Sequence, residues 1–175
     1  MKNDESCDSS FFILNLYTMI PKTEREQIIA LINREVVPAI GCTEPIAVAL
    51  CVAKATETLG CRPEKIQAFL SANILKNAMG VGIPGTGMIG LPIAIALGAI
   101  VGKSEYQLEV LKDSTPEYVE EGKKLIDAQA INIGLKYGIE EKLYIEIICE
   151  AEGKKATAII SGGHTNFVYV ARGEE

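Results

Sequence analysis

Cys42 is the first residue whose type and position predict chemistry, and it lies in the segment GCTEP at residues 41–45. This segment directly precedes a stretch that the sequence predicts to be a buried helix. A helix N-terminus carries partial positive charge, which favours a thiolate over a thiol. Because a thiolate binds metals and attacks electrophiles, Cys42 is a candidate metal ligand or nucleophile. A buried structural cysteine is the alternative that these residues leave open.

His164 is the only histidine, and it lies in the polar segment SGGHTN at residues 161–166. Imidazole titrates near neutral pH, which suits it to ligand binding or to acid–base catalysis. The neighbouring hydroxyl and amide groups also fit a capped turn between two apolar strands, and this alternative stays open. One histidine excludes sites built from several imidazoles, such as the common zinc hydrolase sets.

A glycine-rich segment, GVGIPGTG at residues 80–87, follows Lys76 and Asn77. It contains the spacing G-x-G-x-x-G of dinucleotide-binding loops, but no strand runs directly into it and Pro84 interrupts it. A nucleotide site is therefore a minor alternative. We expect either a tight loop that needs glycine, or a cradle of backbone N–H groups for a small carboxylate. Lys76 by itself is equally consistent with a solvated charge.

The elements around these segments are helical in the first part of the chain. Thr23 and Glu26 have the spacing of a capping box, which predicts a helix that Pro38 ends. A second helix is predicted from Thr43, and the absence of charge from residue 46 to 53 indicates that it is buried.

Two further helices are predicted in the middle of the chain. Residues 88–101 are almost entirely apolar, and the spacing of Gly98 and Gly102 there indicates close helix packing. A further helix opens at residues 114–117 with a charged outer face.

Alternating apolar residues predict strands near residues 66–71 and throughout the final third of the chain. The final third contains four candidates, at residues 131–137, 145–149, 156–161 and 167–171. Short glycine turns separate them, so antiparallel pairing is expected. The predicted fold class is α+β, with buried helices packed on a largely antiparallel sheet that is formed mainly by the C-terminal third.

Composition limits the partners and the location. The chain has 175 residues, 17 basic and 23 acidic side chains, and a formal net charge of -6. Without a basic stripe, neither nucleic acid nor an anionic membrane is an expected partner. The longest apolar run is shorter than the roughly 20 residues that a membrane span needs. Five cysteines are an odd number, which disfavours a disulfide framework and indicates a cytoplasmic protein.

Four segments together resemble the N-terminal part of the cysteine desulfidases, which are relatives of the iron–sulfur L-serine dehydratase alpha chain. They are GCTEPIAVAL at 41–50, KNAMGVGIPGTGMIGLPIAIALGA at 76–99, LEVLKDSTPE at 108–117 and SGGHTN at 161–166. The resemblance implies a lyase that converts L-cysteine and water to pyruvate, ammonia and hydrogen sulfide. An oxygen-sensitive [4Fe-4S] cluster would bind the leaving thiol as a Lewis acid.

The resemblance also implies residue roles. Cys42 matches the family's N-terminal cluster cysteine, and Lys76 and His164 are the chemically able candidates for the base that removes the α-proton. The amino-acid substrate would contact Thr43, Glu44, Asn77, Gly85, Thr86, Gly87, Thr165 and Asn166.

The chain departs from that family in length, since the family's other cluster cysteines lie in a C-terminal helical half. We therefore expect residues 1–18 to be an extension, and residues 19–175 to be an N-terminal domain that is inactive alone and holds no cluster alone. A truncated gene, a split enzyme with a separate C-terminal chain, and a relative without catalysis would each explain the length. An L-serine dehydratase-like deaminase and a non-catalytic binding or assembly module are the alternative functions. Uncovered apolar helices would favour self-association or partner binding.

Overall fold

A computed structural model describes residues 20–36 and 38–174 of the chain. The chain divides into two compact units, Met1–Val37 and Pro38–Glu175. The extension predicted over residues 1–18 lies outside the described residues.

The first unit contains helix α1, Lys22–Glu35. Its N-cap is Pro21, which makes no side-chain cap hydrogen bond, so the predicted capping box of Thr23 and Glu26 is wrong. Thr23 lies inside the first turn, where its hydroxyl cannot occupy the N-cap position. The apolar side chains of α1 are about half exposed: Ile28, Ile29, Leu31 and Ile32.

The second unit is built on a five-stranded sheet with the order β4-β1-β5-β6-β7. The strands are β1 (Lys65–Leu70), β4 (Ile131–Leu135), β5 (Tyr144–Ala151), β6 (Lys154–Ser161) and β7 (Phe167–Glu174). Three of the four neighbouring pairs are antiparallel, so the predicted α+β class is confirmed. The expected antiparallel pairing of β4 with β5 is wrong, because β1 lies between them and pairs with β4 in parallel.

Four helices accompany this sheet. They are α2 (Thr43–Leu59), α3 (Ala72–Ala78), α4 (Leu91–Ile100) and α5 (Pro116–Asp127). Helices α2, α4 and α5 were predicted from periodicity and start signals. The short helix α3 was not predicted, and neither was the 3₁₀ turn over Ser104–Glu109 nor a small hairpin of β2 (Gly82–Ile83) and β3 (Met88–Ile89).

Helix α2 packs on β5 and β6, α4 packs on α2, and α5 packs on α4. The contact between α2 and α4 depends on Gly98, where an added Cβ would lie 2.6 Å from the carbonyl oxygen of Ala49. The close helix packing predicted from this glycine is therefore confirmed. An added Cβ at Gly122 of α5 would lie 3.0 Å from Cδ1 of Ile93, so α5 also lies close against α4.

The all-apolar helices are covered within their own unit. Every residue of α2 from Pro45 to Ala53 is buried, and so are nearly all residues of α4. The expectation that these helices would leave an apolar patch uncovered is wrong, because the sheet, α5 and the 3₁₀ turn cover them. Among the helices of the described residues, none is long and apolar enough to cross a bilayer.

Candidate functional site

Four polar side chains meet at the N-terminus of α2. The thiol of Cys42 donates a hydrogen bond to Oε2 of Glu44 at 3.0 Å, and the hydroxyl of Thr43 donates to the same oxygen at 3.3 Å. Nδ2 of Asn77 donates to the other carboxylate oxygen, Oε1, at 3.4 Å. The carboxylate of Glu44 is thus the common acceptor of this group, which we call the Glu44 cluster.

The start of α2 positions three members of the Glu44 cluster. Cys42 is the N-cap residue with extended backbone (φ -69°, ψ 133°), and its side chain makes no cap hydrogen bond to the helix. Its thiol therefore turns toward Glu44 in the first turn. The next residue, Pro45, is buried and has no N–H, which suits the first turn of a helix, where N–H groups lack intrahelical partners.

Helix α3 supplies Asn77 from its last turn. Ser71 is the N-cap of α3, where its Oγ accepts a hydrogen bond from the backbone N–H of Ile74 at 3.5 Å. The same hydroxyl donates to the carbonyl oxygen of Lys142 at 2.7 Å, which fixes the start of α3 against the loop that precedes β5. Lys76 precedes Asn77 on α3, but its side chain is exposed and takes no part in the Glu44 cluster.

The glycine-rich segment lies beside the Glu44 cluster. Gly41 has φ +85°, and a Cβ added to it would lie 2.8 Å from Cγ of Pro84, so the two segments are in direct contact. The hydroxyl of Thr86 donates to the carbonyl oxygen of Ile83 at 2.7 Å and accepts from the backbone N–H of Met88 at 3.0 Å. Thr86 therefore stabilises the hairpin turn.

The glycines of this turn have open space where a side chain would lie. Gly85 and Gly87 both have positive φ, and an added Cβ at either would meet no atom within 4 Å. The segment follows α3 and contains strand β2 and the turn of the β2–β3 hairpin. A dinucleotide loop needs a strand before it and a helix directly after it, so this placement does not support a nucleotide site.

The pKa shifts of Cys42 and Glu44 keep the proton that they share on the sulfur of Cys42. The hydrogen bond from Cys42 lowers the pKa of Glu44 below its usual range, and the bonds from Asn77 and Thr43 act in the same direction. The same carboxylate raises the pKa of Cys42, with burial as the next cause. The thiolate that a helix N-terminus favours is thus opposed here by an adjacent negative charge. At neutral pH the pair is a thiol that donates to a carboxylate.

The segment at residues 161–166 forms a turn between β6 and β7. The backbone N–H of Ser161 donates to the carbonyl oxygen of Asn166 at 3.1 Å, and Nδ2 of Asn166 donates back to the carbonyl oxygen of Ser161 at 2.9 Å. The N–H of Asn166 also donates to the carbonyl oxygen of Gly163 at 3.2 Å. His164 is half-buried and Thr165 is exposed on this turn. None of the hydrogen bonds of the described residues joins them to the Glu44 cluster, and their roles stay predictions.

The residues at this site do not fit the iron–sulfur cluster that the resemblance implied. Within residues 20–36 and 38–174, no three histidine, cysteine or acidic side chains converge to hold a metal ion. Cys51 and Cys149 are buried in the core, and burial raises the pKa of each thiol, that of Cys149 to about 12.

Comparison with known proteins supplies a different relationship. The chain is similar to UPF0597 proteins. It is 86% identical over 153 residues to one from Phocaeicola vulgatus, which covers 87% of this chain and 36% of that relative. It is 80% identical over 154 residues to a UPF0597 protein from Bacteroides fragilis and 44% identical over 154 residues to one from Aeromonas hydrophila.

The chain spans about a third of the length of these curated relatives. No family model matches the chain, and no solved structure matches it. The assignment to the cysteine desulfidases is wrong, since the relatives are named UPF0597 proteins and that name states no reaction. The activities that this resemblance implied are therefore wrong as well: the lyase, its reaction on L-cysteine and the iron–sulfur chemistry.

Sequence analysis did not predict a second polar group, which is centred on the carboxylate of Glu146. Nζ of Lys136 lies 2.5 Å from Oε2 of Glu146, and the hydroxyl of Tyr144 donates to the same oxygen at 3.0 Å. Burial and the adjacent Glu146 raise the pKa of Tyr144 to about 12. These residues lie on the sheet face opposite α2, and Lys136 lies 5.6 Å from the ring centroid of Phe69. No spacing in the sequence indicates this group, because sheet pairing alone brings the residues together.

Proposed function

We propose that this chain binds a small amino-acid-like metabolite at the Glu44 cluster. The observation that carries the proposal is the carboxylate of Glu44, which three neighbouring side chains hold in one orientation at the edge of a buried helix. Its lowered pKa keeps it negatively charged at neutral pH, so it can accept hydrogen bonds from a ligand ammonium group.

The glycine-rich segment supports the proposal because it could bind the carboxylate of the ligand. Gly85 and Gly87 have open space around them, so their backbone is accessible to a ligand that sits beside Pro84. Backbone N–H groups at such turns bind anions, and a ligand carboxylate is the matching group. A compound with an ammonium and a carboxylate on adjacent atoms would use both features at once.

The thiol of Cys42 contributes polarity to this site while it stays protonated. Its raised pKa makes it a hydrogen-bond donor at neutral pH. We further propose a reducing compartment, the cytoplasm, as the location, and this proposal is supported by the four cysteines that are free among the described residues: Cys42, Cys51, Cys61 and Cys149.

Thermal shift and isothermal titration calorimetry test the proposal with four probes: L-alanine, L-serine, propionate and ethylamine. We expect at least one of the two amino acids to bind. Propionate and ethylamine each carry only one of the two charges, so the affinity of each should be lower by ten-fold or more, which corresponds to about 1.4 kcal/mol of binding free energy per ten-fold. Glu44→Gln should abolish binding. Glu140→Gln removes one exposed negative charge elsewhere and should leave binding unchanged. The absence of binding at millimolar concentrations, or equal binding by Glu44→Gln, would overturn the proposal.

A further inference from the structure

Strand β7 leaves one side of the sheet open. The strand pairs with β6 along one side, and the sheet order places it at the edge, so the described part of the chain supplies no strand for its other side. An edge of this kind presents backbone N–H and C=O groups that can pair with another strand.

The exposed side chains of this edge are apolar. Val168, Tyr169 and Val170 are 55%, 51% and 39% exposed. Tyr169 pairs with Ile159 and Val170 with Ala158, so the exposed residues face both sides of the sheet. We call Phe167–Ala171 the β7 edge segment; it carries no charge, and Arg172 follows it.

The β7 edge segment lacks most of the usual protection against strand addition, and a single β-bulge is its one protective feature among the described residues. Natural edges are blunted by lysine, proline or inward-facing charge, none of which occurs in this segment. Val168 is the extra residue of a β-bulge, since Tyr169 pairs with Ile159 and Phe167 with Ile160, and the other residues of β7 pair with β6 as far as Glu174. A strand with these properties is suited to receive an extended partner.

The greater length of the UPF0597 relatives indicates a candidate partner. The aligned part is only 36% of the Phocaeicola vulgatus relative, so nearly two-thirds of that protein consists of chain outside the alignment. We propose that the β7 edge segment docks an extended stretch of polypeptide that corresponds to this remaining part, which adds a sixth strand to the sheet. The stretch would be apolar opposite Val168 and Tyr169, with an acidic side chain near Arg172. A second copy of this chain is the less favoured occupant, because each copy carries a net charge of -6.

The test mixes this chain with the remaining part of the Phocaeicola vulgatus relative, expressed as a separate polypeptide. We expect a 1:1 complex in size-exclusion chromatography with light scattering. Tyr169→Lys should weaken binding at least ten-fold. Tyr137→Lys is the matched control, because Tyr137 is 82% exposed and lies away from β7, and it should leave binding unchanged.

Hydrogen exchange gives a second measurement that does not need the separate polypeptide to fold. In the full-length relative, amides of the strand equivalent to β7 should exchange about ten-fold or more slowly than in this chain alone, because the outward N–H groups gain partners. Exchange as fast as in the isolated chain would overturn the proposal. So would a complex that Tyr169→Lys leaves intact, or a homodimer of this chain that Tyr169→Lys dissolves. Since β7 holds no member of the Glu44 cluster, failure here leaves the amino-acid site untouched.

Discussion

The Glu44 cluster and the turn at residues 161–166 are both polar segments next to glycines, yet the structure uses them differently. The cluster joins Cys42 and Glu44 to Asn77, which is 33 residues further along the chain. In the turn, hydrogen bonds join Ser161 to Asn166, and the backbone N–H of Gly162 donates to the carbonyl oxygen of Leu143 at 3.0 Å. Of these two segments, the cluster is thus the one in which polar side chains distant in sequence converge.

This difference shows how a candidate site is separated from a structural turn. In the turn, the side chain of Asn166 satisfies a backbone carbonyl, which is an ordinary way to close a hairpin connection. In the cluster, three side-chain donors converge on the single carboxylate of Glu44. The hydrogen bonds of the turn stabilise the connection between β6 and β7, whereas those of the cluster favour the charged form of the Glu44 carboxylate.

The largest expected effect is a loss of unfolding free energy on substitution of Gly41, compared with the same substitution at Gly162, which has a similar φ. Gly41→Ala should destabilise the protein by about 3 kcal/mol, because its φ is +85° and the new Cβ would collide with Pro84. Gly162→Ala has a similar φ of +76° but open space around it, so about 1 kcal/mol is expected. Urea unfolding followed by circular dichroism measures both. Equal losses would show that the packing of Gly41 on Pro84 is not what distinguishes the two segments.

The second prediction concerns the reactivity of Cys42. Glu44→Gln removes the carboxylate that raises the pKa of this thiol, so the pKa should fall and alkylation by iodoacetamide at pH 8 should become several-fold faster. Mass spectrometry of the peptide that contains Cys42 follows the reaction, with Cys42→Ser to identify the site. An unchanged or slower rate would contradict the assigned hydrogen bond.

The third prediction concerns the turn. Asn166→Ala removes the hydrogen bond to the carbonyl oxygen of Ser161 and should cost about 1 kcal/mol of unfolding free energy. The alkylation rate of Cys42 should stay as in the unmodified protein, because no hydrogen bond found within residues 20–36 and 38–174 joins the turn to the cluster. A changed rate in Asn166→Ala would show that the two segments are coupled after all.

The smallest expected effect is a dependence on pH. The hydrogen bond in the cluster lowers the pKa of Glu44 from 4.5 and raises that of Cys42 from 9.0. Its contribution to stability is therefore complete between these values. It is lost as pH falls through the lowered pKa of Glu44 or rises through the raised pKa of Cys42.

Unfolding free energies of the unmodified protein and of Glu44→Gln, measured from pH 3 to 10, test this dependence. The difference between the two proteins should be greatest near neutral pH, and small, since solvent screens the half-buried pair. A difference that grows toward pH 3 would contradict the assigned direction for Glu44.

Much of the fold follows from local patterns in the sequence. The uncharged stretch from Ile46 to Ala53 predicted a buried helix, and Gly98 predicted the close approach of α4 to α2. Strand alternation predicted β5 and β6, with Ile145 and Ile147 facing the core. These features depend on neighbours along the chain, which is why periodicity and residue size are sufficient to predict them.

The candidate site was predicted only in part. Cys42, Thr43 and Glu44 adjoin one another in sequence, but the partner Asn77 was predicted from a resemblance that the comparisons do not support. The helix α3 that presents Asn77 has only seven residues, too few for a clear period, and its one start signal is Ser71. The protonation of Cys42 has a local cause that the sequence analysis missed, because the carboxylate that raises the pKa of this thiol belongs to Glu44, two residues further along the chain.

The sequence by itself determined the α+β class, the burial of α2 and α4, and the residue types available for chemistry, because these follow from composition and short-range periodicity. Only the tertiary structure decided that β1 separates β4 from β5, and that α3 brings Asn77 to Glu44. It also decided that β7 has an apolar edge that no strand of the described residues covers. The physical reason is the same in each case: strand order and long-range hydrogen bonds depend on which surfaces pack together, and residues distant in sequence carry no local mark of that choice.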